Sequence, residues 1–139
     1  MAELKLSLTN DLSEIERLSE AVAAFADTAN IDPKQMFRLN LALEELITNT
    51  INYGFEAGSD QRIDVSLTSD GRTVSVAIED GGRAFDPLLD VQPPDLDADV
   101  DGREIGGLGV HFVRELTDNL AYQRIGERNR LSFSLGCQS

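Results

Sequence analysis

Apolar residues follow two periods that trade places along the chain, and the exchange predicts the elements. Leu4, Leu6 and Leu8 are separated by Lys5 and Ser7, the period of two expected of a strand with one buried face. Leu12, Ile15, Leu18, Val22, Phe25, Ala26 and Ala29 then recur at helical spacing. Asp11, with Glu14 three residues on, resembles a capping box at the start of that helix. A second helix opens at Asp32-Pro33-Lys34-Gln35. There the aspartate is a capping residue, proline suits the first helical position, and Gln35 is placed to close the box. The apolar stripe of this helix runs through Met36, Leu39, Leu43, Leu46, Ile47 and Thr50, and Gly54 and Gly58 mark its end.

Period two returns at Ile63, Val65 and Leu67 and again at Val74, Val76 and Ile78, with Asp70-Gly71 between them as a hairpin turn. From Asp86 to Ile105 no period holds, and the stretch carries Pro87, Pro93, Pro94 and six aspartates. A loop of that length inside a small domain is commonly a functional lid or a disordered segment. A third helix is predicted after Gly109, with Val110, Val113 and Leu116 inward. Two last strands are predicted, one from Leu120 and Tyr122, the other from Leu131, Phe133 and Leu135, joined by a Gly-Glu-Arg-Asn hairpin. The order is β-α-α-β-β-loop-α-β-β, without an internal repeat. Each strand has one apolar face, so the sheet is covered on one side. The predicted fold class is α/β in the α+β sense: a two-layer sandwich of a mixed, mostly antiparallel sheet of about five strands with three helices on one face.

Composition narrows the classes. With 139 residues and 41% hydrophobic content, the expectation is one globular domain spanning 1–139. No apolar run reaches the ~18 residues of a membrane span, and the N-terminus lacks the basic and apolar regions of a signal peptide. A single cysteine, Cys137, permits no internal disulfide and no zinc spacing, which points to the cytoplasm. The formal net charge of −13 disfavours binding to nucleic acid, whose phosphates would be repelled, and favours a protein partner. A nucleotide can still bind where a metal ion and local donors offset the charge.

Three stretches carry candidate chemistry. On the second helix Glu45 and Asn49 are four residues apart and share a face, which Asn52 and Tyr53 extend by a turn. A carboxylate beside an amide suits activation of a hydroxyl and oxygen ligation of a hard cation. This stripe is expected opposite the apolar one, where solvated polar residues also belong. In the segment EDGGRAFDP, Asp80 ends a strand, Gly82 admits close backbone approach and Ala84 keeps the floor of a pocket open. An ordinary Asp-Gly turn would read the same way. In IGGLGV, residues 105–110, Gly106, Gly107 and Gly109 precede a helix, where backbone N–H groups converge on an anion. The spacing matches neither the P-loop nor the dinucleotide fingerprint. A calcium loop aligned on Asp97, Asp99, Asp101 and Gly102 puts Leu108 where a bidentate acid is required. His111, the one histidine, has no partner set for a triad or a metal.

In order, LEELITNTINYG, EDGGRAFDP and GGLGVHFVRELTD resemble the N box and the two glycine boxes of the Bergerat-fold (GHKL) ATP-binding superfamily. Chain length and the closing GERNRLSFSL look most like its single-domain anti-sigma-factor serine kinases. The resemblance implies ATP and Mg²⁺ as cofactors and a lid at about 86–106. It implies that Glu45 is the general base, that Asn49 ligates the metal, and that Asp80 accepts from the adenine amine. It further implies that Gly82 and Ala84 flank the base, that Tyr53 belongs to the site, and that Gly107, Leu108, Gly109 and Val110 surround the phosphates. Ser132 falls where many relatives carry a threonine that helps fix adenine through water. Two positions depart from the kinase pattern: Tyr53 stands for a frequent histidine, and Ile105 for an arginine near the terminal phosphate.

The function so implied is a protein serine kinase and anti-sigma regulatory factor that switches partners on a STAS-type antagonist, with a sigma factor as a further partner and a homodimer as in many relatives. Two other functions remain beside it: a non-catalytic ATP-binding interaction module, and the catalytic ATP-binding piece of a histidine kinase.

Overall fold

Alternating segments pair into one five-stranded sheet. A computed structural model describes residues 2–53, 62–82 and 113–136. In chain order these form β1 (Ala2–Thr9), α1 (Glu14–Ala29), α2 (Pro33–Tyr53), β2 (Arg62–Ser69), β3 (Thr73–Asp80), β4 (Asp118–Ile125) and β5 (Arg128–Gly136). Residues 113–116 are helical, at the end of the predicted third helix. Gly54, Gly58, the predicted lid at 86–106 and the segment 105–110 lie outside the described residues.

The sheet runs in the order β1-β2-β3-β5-β4, and all four pairings are antiparallel. Every predicted strand is present and longer than its apolar core. Two turns set the registers. Asp70 accepts at one carboxylate oxygen from the backbone N–H of Arg72 (2.8 Å) and Thr73 (2.7 Å), while Gly71 takes φ +92°. That left-handed backbone suits a residue without Cβ. Gly126, at φ +60°, does the same in the turn between β4 and β5.

Parity along the strands decides the layers. Ile63, Val65 and Leu67 of β2, Val76 and Ile78 of β3, and Phe133 of β5 are buried. They pack with Leu18 and Val22 of α1 and with Leu39, Leu43 and Leu46 of α2 in one hydrophobic core. Full burial of such side chains is worth about 1.5–3 kcal/mol each, which makes this layer contact the main stabilising term. The opposite face of the sheet carries small side chains, among them Ser66, Ser75, Ala77, Ser132 and Ser134, around a shallow hollow.

The helix ends differ in detail from the predicted capping. α1 starts at Glu14 rather than at Leu12, which is 49% exposed. Glu14 accepts from the backbone N–H and hydroxyl of Thr9 (3.0 and 3.2 Å), and Asp11 accepts from the Ser13 N–H (2.9 Å). The acid therefore ties the helix to the end of β1 instead of closing a box on Asp11. The α1 C-terminus is a left-handed cap: Asn30 has φ 57°, and the Ile31 N–H reaches the Ala26 carbonyl at 2.9 Å. At α2 the predicted aspartate cap is present, with Gln35 N–H on Asp32 Oδ1 at 2.9 Å. Gln35 does not close the box. Its side chain is buried and donates to the Gly136 carbonyl, joining the start of α2 to the end of β5.

Candidate functional site

An α-helix advances by about 100° per residue, so position 49 lies beside positions 42 and 46 rather than across from them. Asn49 is accordingly buried (1% exposed) beside Leu46, Ile47 and Thr50. The expected polar stripe opposite the apolar one is corrected to a flank of the buried face. Glu45, one turn earlier, is half-buried, and Asn52 is exposed, so the flank runs from the core to solvent. Burial raises the Glu45 carboxyl above its ordinary range, and the adjacent Glu44 adds to the rise. Glu44 itself is held by Ser19 of α1 (2.9 Å) and by Asn40 (3.3 Å).

Among the described residues no acceptor meets the Asn49 side-chain N–H₂. Leaving a buried polar group unpaired costs about 1–3 kcal/mol, and an unmatched N–H₂ calls for an acceptor such as a phosphate oxygen, not for a cation. The amide offers a neutral oxygen, and Glu45 a carboxylate one turn away. Among the described residues no three His, Cys, Asp or Glu side chains group around a metal position. One amide beside one carboxylate fits Mg²⁺, which is commonly held by few protein oxygens together with substrate phosphates.

Asp80 is the last residue of β3, and strand parity turns its carboxylate to the helix-covered side, where it is 3% exposed. It pairs in register with Ile63 on one flank and Asn129 on the other. Oδ1 accepts from the Gly82 N–H at 2.9 Å, an Asx turn that brings Gly82 beneath the acid, and from Asn129 Nδ2 at 3.0 Å. Asn129 Oδ1 in turn accepts from the Tyr122 hydroxyl (2.5 Å) and from Arg124 Nη1 (3.0 Å). The same Nη1 donates to the Gly82 carbonyl at 2.9 Å.

The predicted site residues thus divide. Glu45 and Asn49 share the α2 flank, while Asp80 and Gly82 share the corner where β3 ends. Tyr53 is the last residue of α2. Ala84, Gly107, Leu108, Gly109 and Val110 lie outside the described residues. Ser132 is not brought to the corner: it pairs with Ala77 and lines the hollow on the outer face, behind the sheet from Asp80. The side chain that faces Asp80 from β5 is Asn129, three residues earlier and of opposite parity. Asn129, Tyr122 and Arg124 were not among the predicted residues. A signal for Asn129 was available, because it occupies the inward phase set by Leu131, Phe133 and Leu135 and yet is polar. Nothing comparable marks Arg124 in the sequence.

Helices on one face of a five-stranded antiparallel sheet form a two-layer sandwich of the GHKL type. Residues 8–135 match the histidine kinase-like ATPase domain, and the chain belongs to that family. It is 33% identical over 98 residues to the serine/threonine-protein kinase BtrW of Bordetella bronchiseptica, covering 70% of this chain and 68% of that protein. It is 27% identical over 120 residues to the serine-protein kinase RsbW of Listeria monocytogenes, covering 84% of this chain and 75% of that protein. In fold it resembles a solved Mycobacterium tuberculosis chain with RsbU and RsbW domains, at a TM-score of 0.66 and 11% identity. That match covers 98% of this chain and 32% of the other. A histidine kinase domain from Erythrobacter litoralis matches 91% of this chain and 60% of its own length, at a TM-score of 0.54 and 16% identity.

Proposed function

We propose that the protein is an ATP-dependent protein serine kinase of the anti-sigma-factor type, acting by partner switching on a STAS-type antagonist, with a sigma factor as the regulated partner. The observation that carries this reading is the buried Asp80 carboxylate at the end of β3, fixed at Oδ1 by Gly82 and Asn129, together with the raised Glu45 carboxyl on α2. The names of the two relatives, both serine kinases, support the same chemistry.

In this reading Asp80 accepts from the exocyclic amine of adenine. Both of its described bonds use Oδ1, so Oδ2 is the oxygen the amine meets. Asn49 would hold Mg²⁺ through its amide oxygen, and the ion would offset the charge of the phosphates when ATP is bound. The serine hydroxyl of the antagonist forms a bond to the γ-phosphorus as the bond from that phosphorus to the β–γ bridging oxygen breaks. ADP leaves and the hydroxyl proton passes to Glu45. A base with a raised pKa suits that transfer, because proton affinity nearer neutrality matches the donor better. Positioning and charge neutralisation supply most of the rate in such reactions.

Ile105, at a position where related kinases place arginine, supports a second reading, a non-catalytic module in which ATP sets affinity for a protein partner. Incubation with γ-labelled ATP, Mg²⁺ and candidate STAS-type antagonists separates the two. Acid-stable phosphoserine that disappears with Glu45→Ala is the expected product. ATP binding without any labelled protein would favour the module, and an acid-labile product would favour histidine phosphorylation.

A further inference from the structure

A buried carboxylate that must present one oxygen to a ligand has to be fixed in rotation, and the donors that fix Asp80 trace back to β4. Asn129 is 3% exposed, and its amide has distinct ends: the N–H₂ faces Asp80, while the oxygen accepts from Tyr122 and Arg124. Two donors on the oxygen exclude the flipped amide, which would set an oxygen against the carboxylate and turn N–H groups toward a guanidinium. Arg124 acts at two points, because Nη1 also holds the Gly82 carbonyl while the Gly82 N–H holds Asp80. Its Nε reaches the Gly126 carbonyl at 3.3 Å, which sets the guanidinium plane against the β4–β5 turn. The guanidinium itself is exposed, on the rim of the corner. Among the described residues no ion pair reaches Asp80, so the positive charge bears on this acid through an amide and a peptide group rather than by contact.

We infer that Arg124 is a positioning residue for purine recognition: through Asn129 and Gly82 it locks the Asp80 carboxylate in the orientation that accepts the 6-amino group. The inference rests on the assignment of Asp80 to the adenine amine, and its test separates the two. Affinities for ATP and for purine riboside triphosphate, which lacks the 6-amino group, are measured with Mg²⁺ on the full chain. The parent is expected to prefer ATP by about ten- to hundredfold, the size of one hydrogen bond to a charged acceptor, and Asp80→Asn to lose most of that preference.

Arg124→Met keeps the side-chain stem and removes the donors. It is expected to reduce the preference at least threefold while changing affinity for the 6-desamino nucleotide by less than about twofold. Tyr122→Phe, which removes the other donor to Asn129, is expected to shift the ratio the same way, and Arg124→Lys to restore part of it. A purely structural role would weaken both nucleotides alike and leave the ratio unchanged. An unchanged ratio in Arg124→Met, with the parent still discriminating, overturns the role of Arg124 and leaves Asp80 standing. A parent that binds both nucleotides equally overturns the assignment of Asp80 and this inference with it.

Discussion

Asp80 and Asn129 face each other across the pairing of β3 with β5, carboxylate Oδ1 to amide Nδ2 at 3.0 Å, both buried on the helix-covered side. Two polar side chains thus occupy inward positions of adjacent strands in a mostly apolar layer. A carboxylate placed there is costly unless donors surround it. The expected consequence is that Asp80 serves a ligand rather than the fold. A melting curve with ATP at ~100 times its dissociation constant should show the protein stabilised by about 2.7 kcal/mol. Asp80→Asn should fold and lose most of that gain, since the neutral amide keeps an oxygen for Gly82 but loses the charged acceptor. An equal ligand shift in both proteins would remove Asp80 from the site.

Glu45 should trade stability for activity. Its carboxyl is raised by burial first and by Glu44 second. The unfolded chain ionises at the ordinary glutamate value, so the folded state holds the proton more tightly. Its contribution to stability is therefore complete below that value, falls as pH rises through the raised folded value, and is level above it. Glu45→Gln removes this dependence. The variant should gain stability relative to the parent as pH rises from the ordinary glutamate value through the raised folded one, as followed by urea denaturation across a pH series. Phosphoryl transfer should drop by roughly 10²–10⁴-fold with little change in ATP affinity. A parent–variant stability difference that does not move with pH would refute the raised carboxyl.

Much of this layout is legible in residue periods. Inward residues of β2, β3 and β5 announce themselves by strict alternation, and Asp32-Pro33 announces the start of α2. Three things are not legible, each for a physical reason. Asn49 reads as solvated because polarity suggests exposure, whereas helical geometry sets it on the flank of the core. Glu14 and Gln35 read as box-closing residues because local spacing permits it. In the folded chain their longer reach goes to Thr9 and Gly136, contacts that only tertiary structure creates. Arg124 reads as one more surface cation, because its acceptors, Gly82 and Asn129, belong to strand ends brought together only by sheet order.

Asp32 tests how far local capping matters beside tertiary ties. Its side chain meets the Gln35 N–H at 2.9 Å, and its carbonyl receives the Met36 N–H at 2.9 Å. Asp32→Ala should cost about 1 kcal/mol, the usual loss for an N-cap. Leu46→Ala, in the fully buried stripe of the same helix, should cost about 2–5 kcal/mol because it leaves a cavity between helix and sheet. Chemical denaturation of both variants checks the order. A cap loss equal to the core loss would mean that the start of α2 carries more of the fold than its packing suggests.

Ser132 provides the opposite control to Asn129. Both lie on β5, but Ser132 pairs with Ala77 and faces the outer hollow, whereas Asn129 pairs with Asp80 and faces the helices. A difference of three residues along a strand reverses the side, since side chains alternate between faces. Ser132→Ala should therefore leave ATP affinity within about twofold of the parent, because no side-chain atom crosses the sheet. Asn129→Ala removes the amide from Asp80 and should weaken ATP by about tenfold, the size of a buried hydrogen bond to a charged group. Titration calorimetry on the two variants decides the matter. A large loss from Ser132→Ala with none from Asn129→Ala would mean that the nucleotide is read from the outer face, and that the corner at Asp80 is a structural turn.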